Sequence, residues 1–163
     1  MPSLYVLRHA TAAAPTQEDH ERPLTPHGKE EAGAIGAFLK KQDELPDYVL
    51  SSSARRARET AEAAQAQAGW SVETQTEKLL YEVGPSGVIE LLRDIPPSRK
   101  GVLLVGHQPT LSLLISELSA SPTPAFPPAS LARVDFSLPW PDLESGTGTL
   151  KWVMTQRLLG QLE

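Results

Sequence analysis

A three-layer α/β sandwich is the fold predicted by this 163-residue sequence, with a mostly parallel central sheet flanked by helices and antiparallel strands added at one edge by the C-terminal segment. Three observations predict it. Short apolar runs alternate with longer segments of helical spacing between residues 4 and 118, in the order βαβαβαβα; this is the pattern of parallel strands joined by right-handed crossovers. Gly or Pro punctuates most junctions. After a Pro-rich stretch the chain changes to two apolar, partly alternating segments divided by turn residues, as in an antiparallel pair. At about 100 to 200 residues per domain, residues 1–163 are read as one domain, large enough to bury roughly two-thirds of its unfolded surface.

Leu4-Tyr5-Val6-Leu7 is a short apolar run suited to a buried strand. Residues 10–21 are small and polar and read as a loop. Thr25 and Pro26 open a helix, Thr25 as N-cap and Pro26 at the first helical position, with Ala32, Ile35 and Leu39 on one face. Asp47-Tyr48-Val49-Leu50 forms a second strand. Residues 54–68 follow as a helix whose stripe of Ala57, Ala61, Ala64 and Ala68 allows close packing on a sheet. Residues 71–76 are expected as a third strand, with Val72 as its apolar residue, and residues 79–82 as a loop. Gly84 and Pro85 precede a helix with Val88, Leu91, Leu92 and Ile95 on its apolar face, and Pro96-Pro97 stops it. Residues 101–105 are the clearest buried strand, and Gly106-His107-Gln108-Pro109 leads into a helix carrying Leu111, Leu114, Ile115 and Leu118. Residues 121–128 are a Pro-rich connecting loop, with a recognition segment for a Pro-binding partner as the alternative. Residues 131–138 and 149–155 supply the edge strands, on which Trp140 and Trp152 are expected to pack.

Composition narrows the function. The chain has 15 Lys and Arg against 20 Asp and Glu, a net charge of −5, and no cysteine. An acidic chain is a poor candidate for sequence-independent nucleic-acid binding, which needs Lys and Arg to neutralise phosphates. Without cysteine there is no disulfide framework, no Cys-containing zinc site and no thiolate nucleophile. The short apolar N-terminus ends in Arg8-His9 without a basic leader, so it is not read as a signal peptide. No apolar run approaches the roughly 20 residues of a spanning helix. The expectation is a soluble, cytoplasmic protein without a membrane partner.

Ligands of an open α/β sheet bind beyond the carboxyl ends of its strands. There the sequence places Arg8-His9 after the first strand and Ser51-Ser52-Ser53-Ala54-Arg55-Arg56 after the second. Glu82 follows the third strand and Gly106-His107 the fourth. Arg forks bind phosphate oxygens through charge-assisted bonds, a helix N-terminus adds N–H donors, and a neutral His can attack phosphorus. The inventory therefore points to phosphoryl transfer without a metal or other cofactor. The competing phosphate chemistries lack their motifs: there is no P-loop, no Asp-x-Asp after the first strand, and Gly146-Thr147-Gly148 falls in a late turn. Asp19, His20 and His27 have no metal-ligand spacing.

Four segments, Leu7-Arg8-His9-Ala10-Thr11, Arg22-Pro23-Leu24-Thr25-Pro26-His27-Gly28, Ser52-Ser53-Ala54-Arg55-Arg56-Ala57-Arg58-Glu59-Thr60-Ala61 and Gly106-His107, together resemble the histidine phosphatase (phosphoglycerate mutase-like) superfamily. The short chain is similar to the phosphohistidine phosphatase branch of SixA type, and the resemblance covers nearly all of it. It implies that His9 is the nucleophile and becomes phosphorylated, while Arg8, Arg56 and His107 bind the phosphoryl oxygens and stabilise the transition state. Thr11 is expected to touch phosphate through its hydroxyl or N–H. Two departures stand out: Ser53 replaces the usual Pro, and Ala10 replaces the usual Gly, where its methyl is expected to restrict backbone approach to phosphate.

Glu82 is the candidate general acid, with Glu18 and Asp19 on the first loop as rivals. Arg22 either lines the pocket or pins the loop; Arg55 is open, and Arg58, His20 and His27 read as surface or structural. About 25 residues separate Glu82 from His107, too few for a lid domain beside the predicted helix, so a shallow, open pocket is expected. That pocket suits a phosphohistidine on a signalling protein. The alternatives are a small phosphatase of metabolite or nucleotide phosphoesters and, from another class, a non-catalytic phosphate-binding module.

Overall fold

The computed structural model describes residues 1–15 and 18–162. Six strands form one sheet: β1 (Ser3–Arg8), β2 (Tyr48–Ser52), β3 (Thr74–Glu77), β4 (Gly101–Gly106), β5 (Leu131–Phe136) and β6 (Gly148–Met154). Their spatial order is β3-β2-β4-β1-β5-β6. The first four are parallel, whereas β5 pairs antiparallel with β1 and β6 antiparallel with β5. The helices are α1 (Pro26–Lys41), α2 (Arg55–Ala68), α3 (Leu79–Glu82), α4 (Pro85–Arg93), α5 (Thr110–Ser119) and α6 (Gln156–Leu162).

Alternation along each strand separates two cores. Leu4, Val6, Val102 and Leu104 face α4 and α5, while Tyr5, Leu7, Leu103 and Val105 face α1 and α2. Both sides of the inner strands are therefore buried, which is why β1 and β4 read as unbroken apolar runs. The alanine stripe of α2 lets α1 approach closely. A Cβ added to Gly36 would stand 2.0 Å from the Ala64 carbonyl oxygen. Thr25 caps α1 as expected, its hydroxyl accepting the Gly28 N–H at 2.9 Å.

The structure corrects three sequence expectations and adds a terminal helix. The third strand begins at Thr74, leaving Val72 outside it, half-buried against the α1/α2 core. Residues 79–82 are a helical turn, too short for periodicity to reveal, anchored by buried Leu80. Trp140 lies on a 3-10 turn, fully buried beside Phe136, and donates its indole N–H to the Arg99 carbonyl. The C-terminus continues past β6 into α6, whose Leu159 enters the α1/α2 core. No helix among the described residues is long and apolar enough to cross a membrane.

Candidate active site

Parallel pairing builds the inner part of the site. Arg8 is in register with Gly106, so the next residues, His9 and His107, emerge side by side, and their ring centroids are 5.3 Å apart. The His9 N–H donates to the Gly106 carbonyl, and the His9 carbonyl accepts from Ala129. Behind His9, the Ala10 N–H donates to Thr60 Oγ1, whose own proton goes to the Arg56 carbonyl. One hydroxyl thus ties the first loop to α2. Ala10 is fully buried within the α1/α2 core; its methyl fills that core and does not restrict the phosphate side as expected. Gly28 completes the support, since a Cβ there would meet the Thr11 carbonyl oxygen at 2.1 Å.

The polar atoms have defined roles. His9 Nδ1 donates to the Ala10 carbonyl at 2.8 Å, which leaves Nε2 with its lone pair. Burial pushes the His9 pKa down to about 4, with Arg56, Arg8 and Arg22 adding to the shift against the Ala10 hydrogen bond. His107 is lowered further, to about 3, by burial and then by His9 and Arg56. Both rings are neutral at pH 7. Ser52 Oγ accepts the Ala54 N–H and so has its own proton to donate to His107 Nε2, 2.8 Å away. That arrangement puts the ring proton on His107 Nδ1, which is buried without a protein partner among the described residues.

Arg8 donates from Nη1 to the Phe126 carbonyl, and Arg56 from Nη1 to the Asp19 carbonyl and from Nη2 to Asp19 Oδ2. The Nε atoms of both are buried and have no protein partner among the described residues. Each guanidinium is therefore held by one end and keeps an unused donor at Nε. The cluster thus combines two guanidinium groups with two neutral imidazoles, a set whose positive potential and N–H groups suit a phosphoryl group.

The remaining expected residues divide. The Thr11 N–H is committed to Glu31 Oε1 at 2.9 Å, so only its hydroxyl is left for phosphate. Arg22 pins the loop through the Ala13 carbonyl and also reaches Asp19 Oδ1. Arg55 pairs with Glu59 on the surface, Arg58 donates to the Ser53 carbonyl, and His27 is exposed beside Glu31. Glu82 is exposed and does not join the cluster. Residues 79–82 form a helical turn, in which successive side chains diverge by about 100°, so the segment turns Tyr81 to the site and Glu82 to solvent. Sequence reasoning missed Tyr81 and the part played by Ser52. Glu18 and Asp19 lie on the first loop; the Asp19 carboxylate is held well below the usual carboxylate range by hydrogen bonds from Tyr81 and Arg22, then by Arg56.

A family model described as the histidine phosphatase superfamily (branch 1) matches residues 4–88. The chain belongs to this superfamily. It is 36% identical over 155 residues to an uncharacterized protein of Mycobacterium tuberculosis, covering 88% of this chain and 96% of that one. It is 29% identical over 159 residues to the phosphohistidine phosphatase SixA of Escherichia coli, covering 93% and 92%. Among solved structures, the protein histidine phosphatase SixA complexed with tungstate superimposes with a TM-score of 0.85 at 26% identity, covering 99% of both chains. With this superfamily membership, the chain is a phosphatase of the phosphoglycerate mutase-like fold.

Proposed function

We propose that this phosphatase works through a covalent phosphohistidine on His9, without a metal ion, and that its substrate is a phosphohistidine borne by a signalling protein. His9 Nε2 donates its lone pair to phosphorus as the bond from phosphorus to the leaving group breaks in line. Arg8, Arg56 and His107 Nδ1 hold the three equatorial oxygens, with the Thr11 hydroxyl as a further donor. Water then attacks phosphorus, the bond to His9 breaks, and inorganic phosphate leaves.

The observation that carries the substrate assignment is the state of the carboxyl groups. Asp19, the carboxylate tied to Arg56, is stabilised in its ionised form and accepts protons' hydrogen bonds from its neighbours; it does not supply a proton. Glu82 is exposed at the end of α3. An alkoxide leaving group needs a positioned acid, whereas the imidazole of a phosphohistidine is itself basic and departs with a proton from solvent. The short stretch from β3 to β4 agrees with this reading, because α3 and α4 use most of it and the apolar face of α4 packs into the core.

The experiment is a ranking of catalytic efficiencies on a phosphorylated histidine phosphotransfer domain, a set of sugar phosphates and an aryl phosphate. The phosphorylated domain should be turned over with the highest kcat/KM. A sugar phosphate preferred by orders of magnitude would overturn the substrate assignment and favour the metabolite phosphatase. His9→Ala with full activity would overturn the mechanism.

A further inference from the structure

Tyr81 makes more of the site's contacts than any sequence motif accounts for. Its hydroxyl donates to Asp19 Oδ2 at 2.5 Å across 62 positions of sequence. Its ring stands edge-on to His107 at 5.6 Å and to His20 at 5.1 Å, and the Arg56 guanidinium lies over it at 5.8 Å from the centroid. The same Asp19 carboxylate receives Arg56 Nη2 on Oδ2 and Arg22 Nη1 on Oδ1, while the Asp19 carbonyl receives Arg56 Nη1. Asp19 thus occupies the terminal fork of Arg56 and leaves the buried Nε without a protein partner.

From this geometry we infer that Tyr81 is a positioning residue for phosphoryl transfer: by fixing the Asp19 carboxylate it fixes the plane of the Arg56 guanidinium, so that Nε is presented to the phosphoryl group. The physical reason is the asymmetry of exposure. The Arg56 side chain is 8% exposed, whereas that of Asp19 is 47% exposed and sits on a loop, so it needs a tether to act as a rigid anchor. Tyr81 provides that tether from α3, which is held by buried Leu80. The inference rests on the phosphatase reading and not on the identity of the natural substrate, so an aryl phosphate suffices to test it.

Tyr81→Phe keeps the ring and removes only the hydroxyl. The expected result is a fall of about tenfold in kcat with a smaller change in KM, because a misaligned guanidinium costs most where charge develops in the transition state. Inhibition by orthovanadate, which imitates that state, should weaken by the same factor as kcat/KM, while inhibition by inorganic phosphate weakens less. Asp19→Asn should lower kcat similarly, and adding Tyr81→Phe to it should change activity by less than about twofold, since both act through one contact. Wild-type kcat/KM in Tyr81→Phe would overturn the inference, as would a double variant whose loss is the product of the two single losses. Equal weakening by phosphate and vanadate would reduce Tyr81 to general structural support and would also overturn it. Loss of all aryl phosphatase activity in His9→Ala, measured alongside, keeps a failure of the mechanism distinct from a failure of the Tyr81 role.

Discussion

The candidate active site has two halves built in different ways. The inner half, His9, Arg8 and His107, stands at the ends of β1 and β4, and the register of two buried parallel strands places it. The outer half, Asp19, Arg22, His20 and Tyr81, comes from the first loop and the turn α3, and side-chain hydrogen bonds hold it together. Backbone pairing between strands buried on both faces moves little, whereas a loop tethered by individual hydrogen bonds can rearrange. The inner half therefore suits the proposed attack on phosphorus, and the outer half suits alignment of the substrate and of Arg56.

The sharpest way to break this division is to remove one group from each half. His9→Ala should abolish formation of the phosphoenzyme and reduce turnover of an aryl phosphate by at least about 10³-fold, read by acid-quenched labelling and steady-state rates. Arg56→Lys, which keeps the charge but loses the fork gripped by Asp19, should lower kcat/KM by about 10²-fold. Arg22→Ala, confined to the outer half, should lower it by about tenfold or less; a loss as large as that of His9→Ala would erase the distinction. Arg55→Ala should change activity by less than about twofold, as expected for an exposed pair.

Titration sharpens the same comparison. In folded protein, NMR should place the midpoints of His9 and His107 near 4 and 3, well below the ordinary 6.5. Because both folded values lie below the unfolded one, the unfolded chain binds the protons first on acidification. The stability that these two neutral rings contribute is therefore fully present above about 6.5 and is lost progressively as the pH drops toward 4 and then 3. A midpoint near 6.5 for His9 would mean that its ring is solvated and that the inner half is not preformed. On the structural side, Gly28→Ala should cost about 1 to 3 kcal/mol in denaturant unfolding, since the new methyl would drive α1 off the loop that carries Thr11.

Much of this was readable in the residues. Thr25, Pro26 and the apolar face of α1 announce a capped helix, and the runs at β1 and β4 announce buried strands whose ends carry Arg8, His9 and His107. The structure also separates Arg56 from Arg55 and Arg58, which share its helix: only Arg56 is buried, and its guanidinium meets the loop at Asp19. The strand β3 is less legible because none of its residues is fully buried, and the nearby apolar Val72 marks the segment before it instead. The turn α3 hid Tyr81 because four residues are too few for a helical period, and Glu82 beside it offered the more familiar acid.

Local sequence thus determined the ends of β1 and β4 and the cap of α1, since burial on both faces of a sheet and the stereochemistry of Pro and Thr act within a few residues. It also determined, through the lack of cysteine, that a phosphoenzyme of this chain cannot be a thiophosphate. Tertiary structure alone decided the rest. The register of β1 on β4, the proton on His107 Nδ1 set by Ser52, and the grip of Tyr81 on Asp19 join residues 55 to nearly 100 positions apart. Such contacts depend on packing the whole chain and leave no pattern in any one segment.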